Sequence, residues 1–279
     1  MAKVISVCNA KGGTGKTTVS INLAATLALH FGKKVLAIDM DSQGNLGIGF
    51  GIDPRQIQNT TYHLLSDPNT QIEQYIIDVR NNISLIPNAI NTRLENALDA
   101  APNRDSLLKR KIRFIRDNYD YIIIDTPPAM RTPTMNAIVV ADEIIVVVDC
   151  GYFALYGLSD LMTQIADAQT AHDKEDLVIR GLLNFYNKGQ ILDNDVKTEV
   201  FNFFASLTFQ SVIHKNVRLA EAASHHQPII EYDRTAPGCF DFLKMTKELL
   251  NEHEEEARPR TRTKRNSTQP QAIRTKSKN

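Results

Sequence analysis

Cysteine is scarce in this chain: Cys8, Cys150 and Cys239 are odd in number and far apart. That excludes a disulfide framework and suits buried thiols in a reducing compartment, so a cytoplasmic protein is expected. No apolar run approaches the roughly 18 residues of a membrane-crossing helix, and no charged-then-apolar leader opens the chain. Net charge is lacking too, since 32 Lys and Arg balance 32 Asp and Glu. The balance hides an uneven distribution. Ala257 to Asn279 holds no acidic residue and eight basic ones, from Arg258 and Arg260 to Lys276 and Lys278. Removing these eight leaves 24 basic against 32 acidic residues in 1–256, a body at −8. Residues 257–279 also have almost nothing apolar and are expected to be a disordered basic tail, either a tether for a polyanion or a solubilising end. Ala272 and Ile273 alone give no apolar face for a membrane-lying helix, so no stable membrane insertion is expected. The His225-His226 pair lacks a Cys or carboxylate at ligand spacing, which favours a solvated loop over a metal site.

What is present is ordinary for a folded chain. With 42 % hydrophobic and 23 % charged residues, 279 residues can bury one sizeable core, expected over 1–256, and nothing suggests a second domain of that size.

Residues 10–18 carry the strongest chemistry: Ala-Lys-Gly-Gly-Thr-Gly-Lys-Thr-Thr. The preceding Lys3 to Cys8 is apolar and β-branched enough for a buried strand. The following Val19 to His30 has helical spacing at Ile21, Leu23, Ala24, Leu27 and Ala28. A glycine-rich turn between strand and helix is where backbone N–H groups and a helix N-terminus converge on a phosphate. Gly12, Gly13 and Gly15 supply freedom and close approach, Lys16 neutralises the β- and γ-phosphates, and Thr17 ligates Mg²⁺. Thr14 and Thr18 complete the expected nucleotide-binding loop. The ordinary template wants glycine at position 10; this chain has Ala10 and a second lysine, Lys11. That is the deviant Walker A pattern.

Two further blocks follow. Val35 to Asn45 is an apolar strand running into Asp39 and Asp41, which strand alternation places on one face at the carboxyl end, where α/β proteins hold ligands. Asp also ends strands and caps helices, a structural alternative that explains one aspartate better than two. Tyr121 to Pro128 reads as a Walker B strand, with Asp125 holding Mg²⁺ through water.

In this order the blocks resemble the ParA/Soj branch of the MinD-like ATPases, the partition proteins. The resemblance extends to Ile83-Ser84-Leu85-Ile86-Pro87-Asn88, to Tyr152-Phe153-Ala154-Leu155-Tyr156-Gly157-Leu158, and to Asn216-Val217-Arg218-Leu219-Ala220-Glu221-Ala222 with Ser224-His225 after it. It covers roughly residues 1–252. Nitrogenase iron-protein relatives, which need paired cysteines, do not fit. Three departures stand out: Ser42 for a usual Pro, Val147 and Gly151 for a Pro and a Glu, and His214-Lys215 where Ile-Pro-Arg is usual. A looser turn after Asp41 is expected from Ser42.

The resemblance implies an ATP-bound homodimer with Mg²⁺ as cofactor, Lys11 reaching the partner's phosphates, and Asp41 orienting the attacking water with a water-mediated link to the metal. It adds Asn184 to the nucleotide set. It also implies slow hydrolysis until a ParB-like partner stimulates it, and non-specific DNA binding on the nucleoid through Arg218, with Lys215 and Lys188 beside it. The expected task is segregation or positioning of plasmid or chromosomal DNA. The alternatives are positioning of a protein cargo by the same ATPase, and a MinD-like membrane-associated regulator of division. With the first strand expected from residue 3, no N-terminal helix-turn-helix domain is expected.

Strands are expected near 3–8, 34–39, 83–86, 120–125, 143–149, 178–184 and 208–213. Helices are expected near 16–30, 104–117, 132–140, 155–172, 191–204, 216–223 and 237–253. This alternation predicts a doubly wound α/β fold, a mostly parallel sheet flanked by helices.

Overall fold

The computed structural model describes residues 1–151 and 156–257. Tyr152 to Leu155, and the expected basic tail apart from Ala257, lie outside the described residues.

Runs of branched apolar residues form a seven-stranded sheet: β1 (Lys3–Cys8), β2 (Val35–Asp39), β3 (Ile77–Arg80), β4 (Ile83–Ile86), β5 (Tyr121–Asp125), β6 (Glu143–Asp149) and β7 (Val178–Asn184). The spatial order is β3-β4-β2-β5-β1-β6-β7, and only the edge pair β3–β4 is antiparallel. Side chains alternate between two apolar layers. Ile5, Val7, Ala37 and Ile123 face one with α1 (Lys16–Ala25), α9 (Val217–Ser224), α10 (Ile229–Tyr232) and α11 (Pro237–Ala257). Val4, Leu36, Ile38 and Ile122 face the other with α3 (Thr61–Ser66), α4 (Thr92–Asp99), α5 (Leu107–Ile112) and α6 (Thr132–Val140). At the β6–β7 end, α7 (Tyr156–Ala171) and α8 (Ile191–Phe204) pack over Ile144, Val146 and Leu183. Both faces of the parallel sheet are therefore covered, as its uninterrupted hydrophobicity requires.

Four expectations need correction. Residues 208–213 are not a strand: isolated bridges at Gly181–Thr208 and Tyr186–His214, with the Phe209 and Ile213 amides on the Gly181 and Leu183 carbonyls (2.9 Å each), join this segment to β7 and its continuation without a continuous ladder. The carboxylate of Glu248 on α11 takes the amides of Gln210 (2.6 Å) and Ser211 (2.9 Å), so those N–H groups cannot enter a ladder. The helix expected over 104–117 is interrupted, with α5 between 3₁₀ turns at Arg104–Ser106 and Arg116–Asn118. The helix expected over 16–30 holds α geometry to Ala25 and continues as a π turn over Thr26–His30. Strand β3 and the short helices α2 (Asn45–Gly49), α3, α4 and α10 were not expected; the half-exposed edge strand and the helices of four to eight residues carry too little periodicity to stand out.

Candidate functional site

The loop leaves β1 at Cys8, between β5 and β6, and is stapled at once. Asn9 Oδ1 accepts from the Lys11 amide (2.9 Å), and Asn9 Nδ2 donates to the Val147 carbonyl of β6 (2.6 Å). Gly13 (φ 78°) and Gly15 (φ 91°) turn through the left-handed region that side chains avoid. Gly15 also answers to space: a Cβ there would lie 2.2 Å from Asn184 Nδ2 and 3.0 Å from Phe185 Cζ. Asn184 is buried and donates from Nδ2 to the Thr14 carbonyl (2.7 Å), holding the loop against β7. Helix α1 begins immediately, with no side-chain cap at Gly15. Its first amides thus remain for an anion, and its dipole favours one. Thr14 Oγ1 is buried with no partner among the described residues, while Thr18 accepts from Asn22 Nδ2 at its carbonyl (2.8 Å).

Strand register sets the carboxylates around this loop. Asp39 of β2 pairs with Asp125 of β5, which also lies beside Val7 of β1. Asp125 is fully buried; its Oδ2 accepts from Thr17 Oγ1 (2.7 Å) and its Oδ1 from Ser20 Oγ (2.8 Å). Burial pushes its carboxyl up to about 6, against the pull of the two hydroxyls and Lys16. Lys16 is buried, which lowers its own pKa against the fields of Asp125, Cys8 and Asp41; its Nζ donates to the Lys11 carbonyl (3.1 Å). A buried ammonium, open helix amides and a hydroxyl backed by a carboxylate fit a polyphosphate and a hard, oxygen-liganded ion such as Mg²⁺. Among the described residues, no group of three or more His, Cys, Asp or Glu could hold a metal by itself. Mg²⁺ here would draw most of its ligands from the nucleotide and water.

The two aspartates of the second block differ in role. Asp39 is fully buried, and its carboxylate takes the amides of Asp41 (3.0 Å), Leu46 (3.1 Å) and Gly47 (3.4 Å), anchoring the turn and α2. Burial, then the field of Asp125, raises its pKa. Asp39 is the structural one. Asp41 is half-buried, and its Oδ1 accepts from the Gln43 amide (3.0 Å). Against the expectation from Ser42, the turn is closed, with a further bond from the Gly44 amide to the Asp41 carbonyl (3.1 Å).

Lys11 points elsewhere than Lys16. Its side chain is 44 % exposed, and its ammonium bonds Asp149 Oδ2 at 2.7 Å, at the end of β6. Gly151 leaves room for this pair, since a Cβ there would sit 3.0 Å from Asp149 Oδ2 and 3.3 Å from Lys11 Nζ. Asp149 and Ser20 were missed in the sequence. The signal for Asp149 was available: it ends an apolar strand just as Asp39 and Asp125 do. The register pairs it with Asn184.

A cleft of about 520 Å³ opens beside the loop, lined by Asp149, Gly151, Phe185, Lys215 and Val217 among others. Lys215 thus stands at the rim of the site. Lys188 and Lys215 form no ion pair among the described residues. Arg218 is engaged: Nη1 bonds Glu221 Oε2 (2.7 Å) and Nε lies 3.7 Å from Asp233 Oδ2. His214, where proline is usual, donates its amide to buried Asp241 Oδ2 (3.0 Å), a bond proline cannot make, and its Nδ1 contacts the same carboxylate. His226 Nδ1 contacts the Ile48 carbonyl (3.0 Å), and His225 stacks on Tyr232 at 5.2 Å. All three cysteines are free and buried; burial pushes Cys8 and Cys150 up to about 12. No helix among the described residues is long and apolar enough to cross a membrane.

A phosphate-binding loop between a central parallel strand and its helix, backed by a buried Thr–Asp pair, defines the class: a P-loop NTPase. The profile of the AAA domain family AAA_31 matches residues 2–179. The chain is 39 % identical over 251 residues to the sporulation initiation inhibitor protein Soj of Bacillus subtilis (strain 168), covering 89 % of this chain and 98 % of Soj. It is 37 % identical over 253 residues to the chromosome partitioning protein ParA of Myxococcus xanthus, covering 90 % and 88 %. A crystal structure of a plasmid partition protein of Borrelia burgdorferi bound to AMPPNP superposes with TM-score 0.75 at 24 % identity, covering 90 % of this chain and all of that one, a likeness of fold. The chain belongs to the ParA/Soj family of partition ATPases.

Proposed function

We propose that this protein is an ATP- and Mg²⁺-dependent ATPase that dimerises with ATP, binds DNA without sequence preference, and segregates or positions plasmid or chromosomal DNA with a ParB-like partner. The observation that carries the reading is the divergence of two lysines from one loop. Lys16 is buried behind the loop toward Asp125, where it would meet the nucleotide of its own subunit. Lys11 stands at the rim, free to swing from Asp149 to a phosphate in a second subunit. There it would stabilise the charge that develops on the transferring phosphoryl group, as an arginine finger does.

The remaining roles follow from position. The amides of Gly12 to Gly15 and of α1 cradle the β- and γ-phosphates. Mg²⁺, when bound, neutralises the phosphate oxygens; Thr17 would hold it, with Asp125 behind through water. Asp41 orients the attacking water, which needs little proton abstraction in a loose transition state. Asn184 and the cleft by Phe185 and Lys215 would flank the base. Dimerisation would double the basic face of Lys188, Lys215 and Arg218, so that DNA affinity follows the nucleotide. The basic tail would add a nucleotide-independent tether to the nucleoid.

The test compares the two lysines by equilibrium nucleotide binding and sedimentation with ATP. Lys16→Ala should abolish nucleotide binding. Lys11→Ala should keep binding and lose dimerisation and hydrolysis. ATP dimers of wild-type strength in the Lys11 variant would overturn the cross-subunit role.

A further inference from the structure

Far from the loop, α3, α4 and α5 leave a groove of about 480 Å³ between them. Leu65, Leu98 and Leu107 line its apolar part together with Ala97 and Ala101. Its margin carries Arg110, Arg113 and Phe114, the last 66 % exposed. Arg113 lies over the Phe114 ring at 4.4 Å. Neither arginine has a carboxylate partner among the described residues. The wall is rigidly built: buried Lys111 donates to the carbonyls of Asp67 (2.7 Å), Pro68 (3.2 Å) and Thr70 (3.0 Å), tying α5 to the turn after α3.

We infer that this groove docks an acidic amphipathic segment of a partner protein, its apolar side chains in the groove and its carboxylates on Arg110 and Arg113. Charge complementarity selects the occupant. On a body whose net charge is −8, two unpaired guanidiniums beside an apolar groove and an exposed aromatic ring are a local reversal. Guanidinium forks bind carboxylates bidentately, and arginine and aromatic residues are the side chains that most often anchor interfaces. Nucleic acid fits less well, because phosphates would engage the arginines and leave the aliphatic part unfilled; a helix laid in the groove satisfies both. The groove belongs to the apolar layer opposite that of α1 and α9. Docking therefore leaves the loop and Arg218 uncovered, and a partner held here can stay through a nucleotide cycle.

The experiment uses the full chain and a fluorescein-labelled synthetic peptide with Leu at helical spacing and Glu between, read by anisotropy with and without ATP. A scrambled peptide and one with Lys for every Glu serve as controls. The acidic peptide should bind with micromolar affinity, the controls at least about tenfold more weakly. The double variant Arg110→Glu, Arg113→Glu should weaken the acidic peptide and strengthen the Lys peptide, each about tenfold or more. Phe114→Ser should weaken both. All three residues are exposed, so ATP binding should stay at the wild-type level and certify the fold. Four results overturn the inference. The acidic peptide binds no better than its scramble, or charge reversal leaves it unmoved. A DNA duplex displaces it through Arg110 and Arg113, which makes the patch a nucleic-acid site. Phe114-dependent self-association appears in sedimentation, which gives the groove to a second copy.

Discussion

Replacing Asp149 by Asn should tighten the ATP-dependent dimer. In the single subunit the Lys11 ammonium rests on Asp149 Oδ2 at 2.7 Å, and in the proposed dimer it would have to leave that carboxylate to reach a phosphate across the interface. Lys11 is 44 % exposed and Asp149 18 %, so solvent screens the pair and its worth is roughly 0.5–1 kcal/mol rather than that of a buried bridge. Two subunits release two such pairs. The sum, about 1–2 kcal/mol, corresponds to a roughly 5- to 30-fold stronger dimer for the variant. Sedimentation over a concentration series with ATP, in wild type and Asp149→Asn, measures this directly. Salt is a further check, since at about 1 M the screening length falls to about 3 Å and the advantage should shrink. A variant that binds ATP normally but dimerises no better than wild type would refute the latch.

Gly15→Ala should abolish nucleotide binding while circular dichroism stays native, because the added Cβ meets Asn184 Nδ2 at 2.2 Å and φ is 91°. Retained binding would mean that the loop yields at little cost. The Asp125 carboxyl is raised to about 6, so its contribution to stability is full below its ordinary range and is lost as pH climbs through about 6. In nucleotide-free protein with chelator, wild type should therefore lose thermal stability relative to Asp125→Asn between about pH 4 and 6, by on the order of 2 kcal/mol, and run parallel to it above about pH 7. Parallel profiles for the two over the lower range would refute this. Glu221→Gln should strengthen ATP-dependent DNA binding by freeing Arg218 from its 2.7 Å ion pair, and Arg218→Glu should weaken it about tenfold. Filter binding at two salt concentrations measures both, and indifference to either change would move the DNA contact away from α9.

The phosphate loop, the strands and most long helices were legible in the sequence because they rest on local rules. Gly13, Gly15 and Lys16 declare a turn and a charge within a few residues, and branched apolar runs declare buried strands. The order of blocks was legible for the same reason, and with it the family. Register and packing are non-local, and they decided the rest. Asp39 and Asp41 look equivalent in sequence; only the β2–β5 pairing buries the first beside Asp125 and turns it onto the amides of α2. The strand expected over 208–213 is broken in its middle because Glu248, far along the chain, takes the amides of Gln210 and Ser211. Asp149 acquires its partner only when β6 ends level with the loop from β1, bringing together residues 138 positions apart. Likewise, the groove by Phe114 exists only where α3, α4 and α5 converge. Local chemistry wrote the nucleotide site into the sequence, whereas the partners of its charges depend on where strands stop relative to one another, which tertiary packing alone sets.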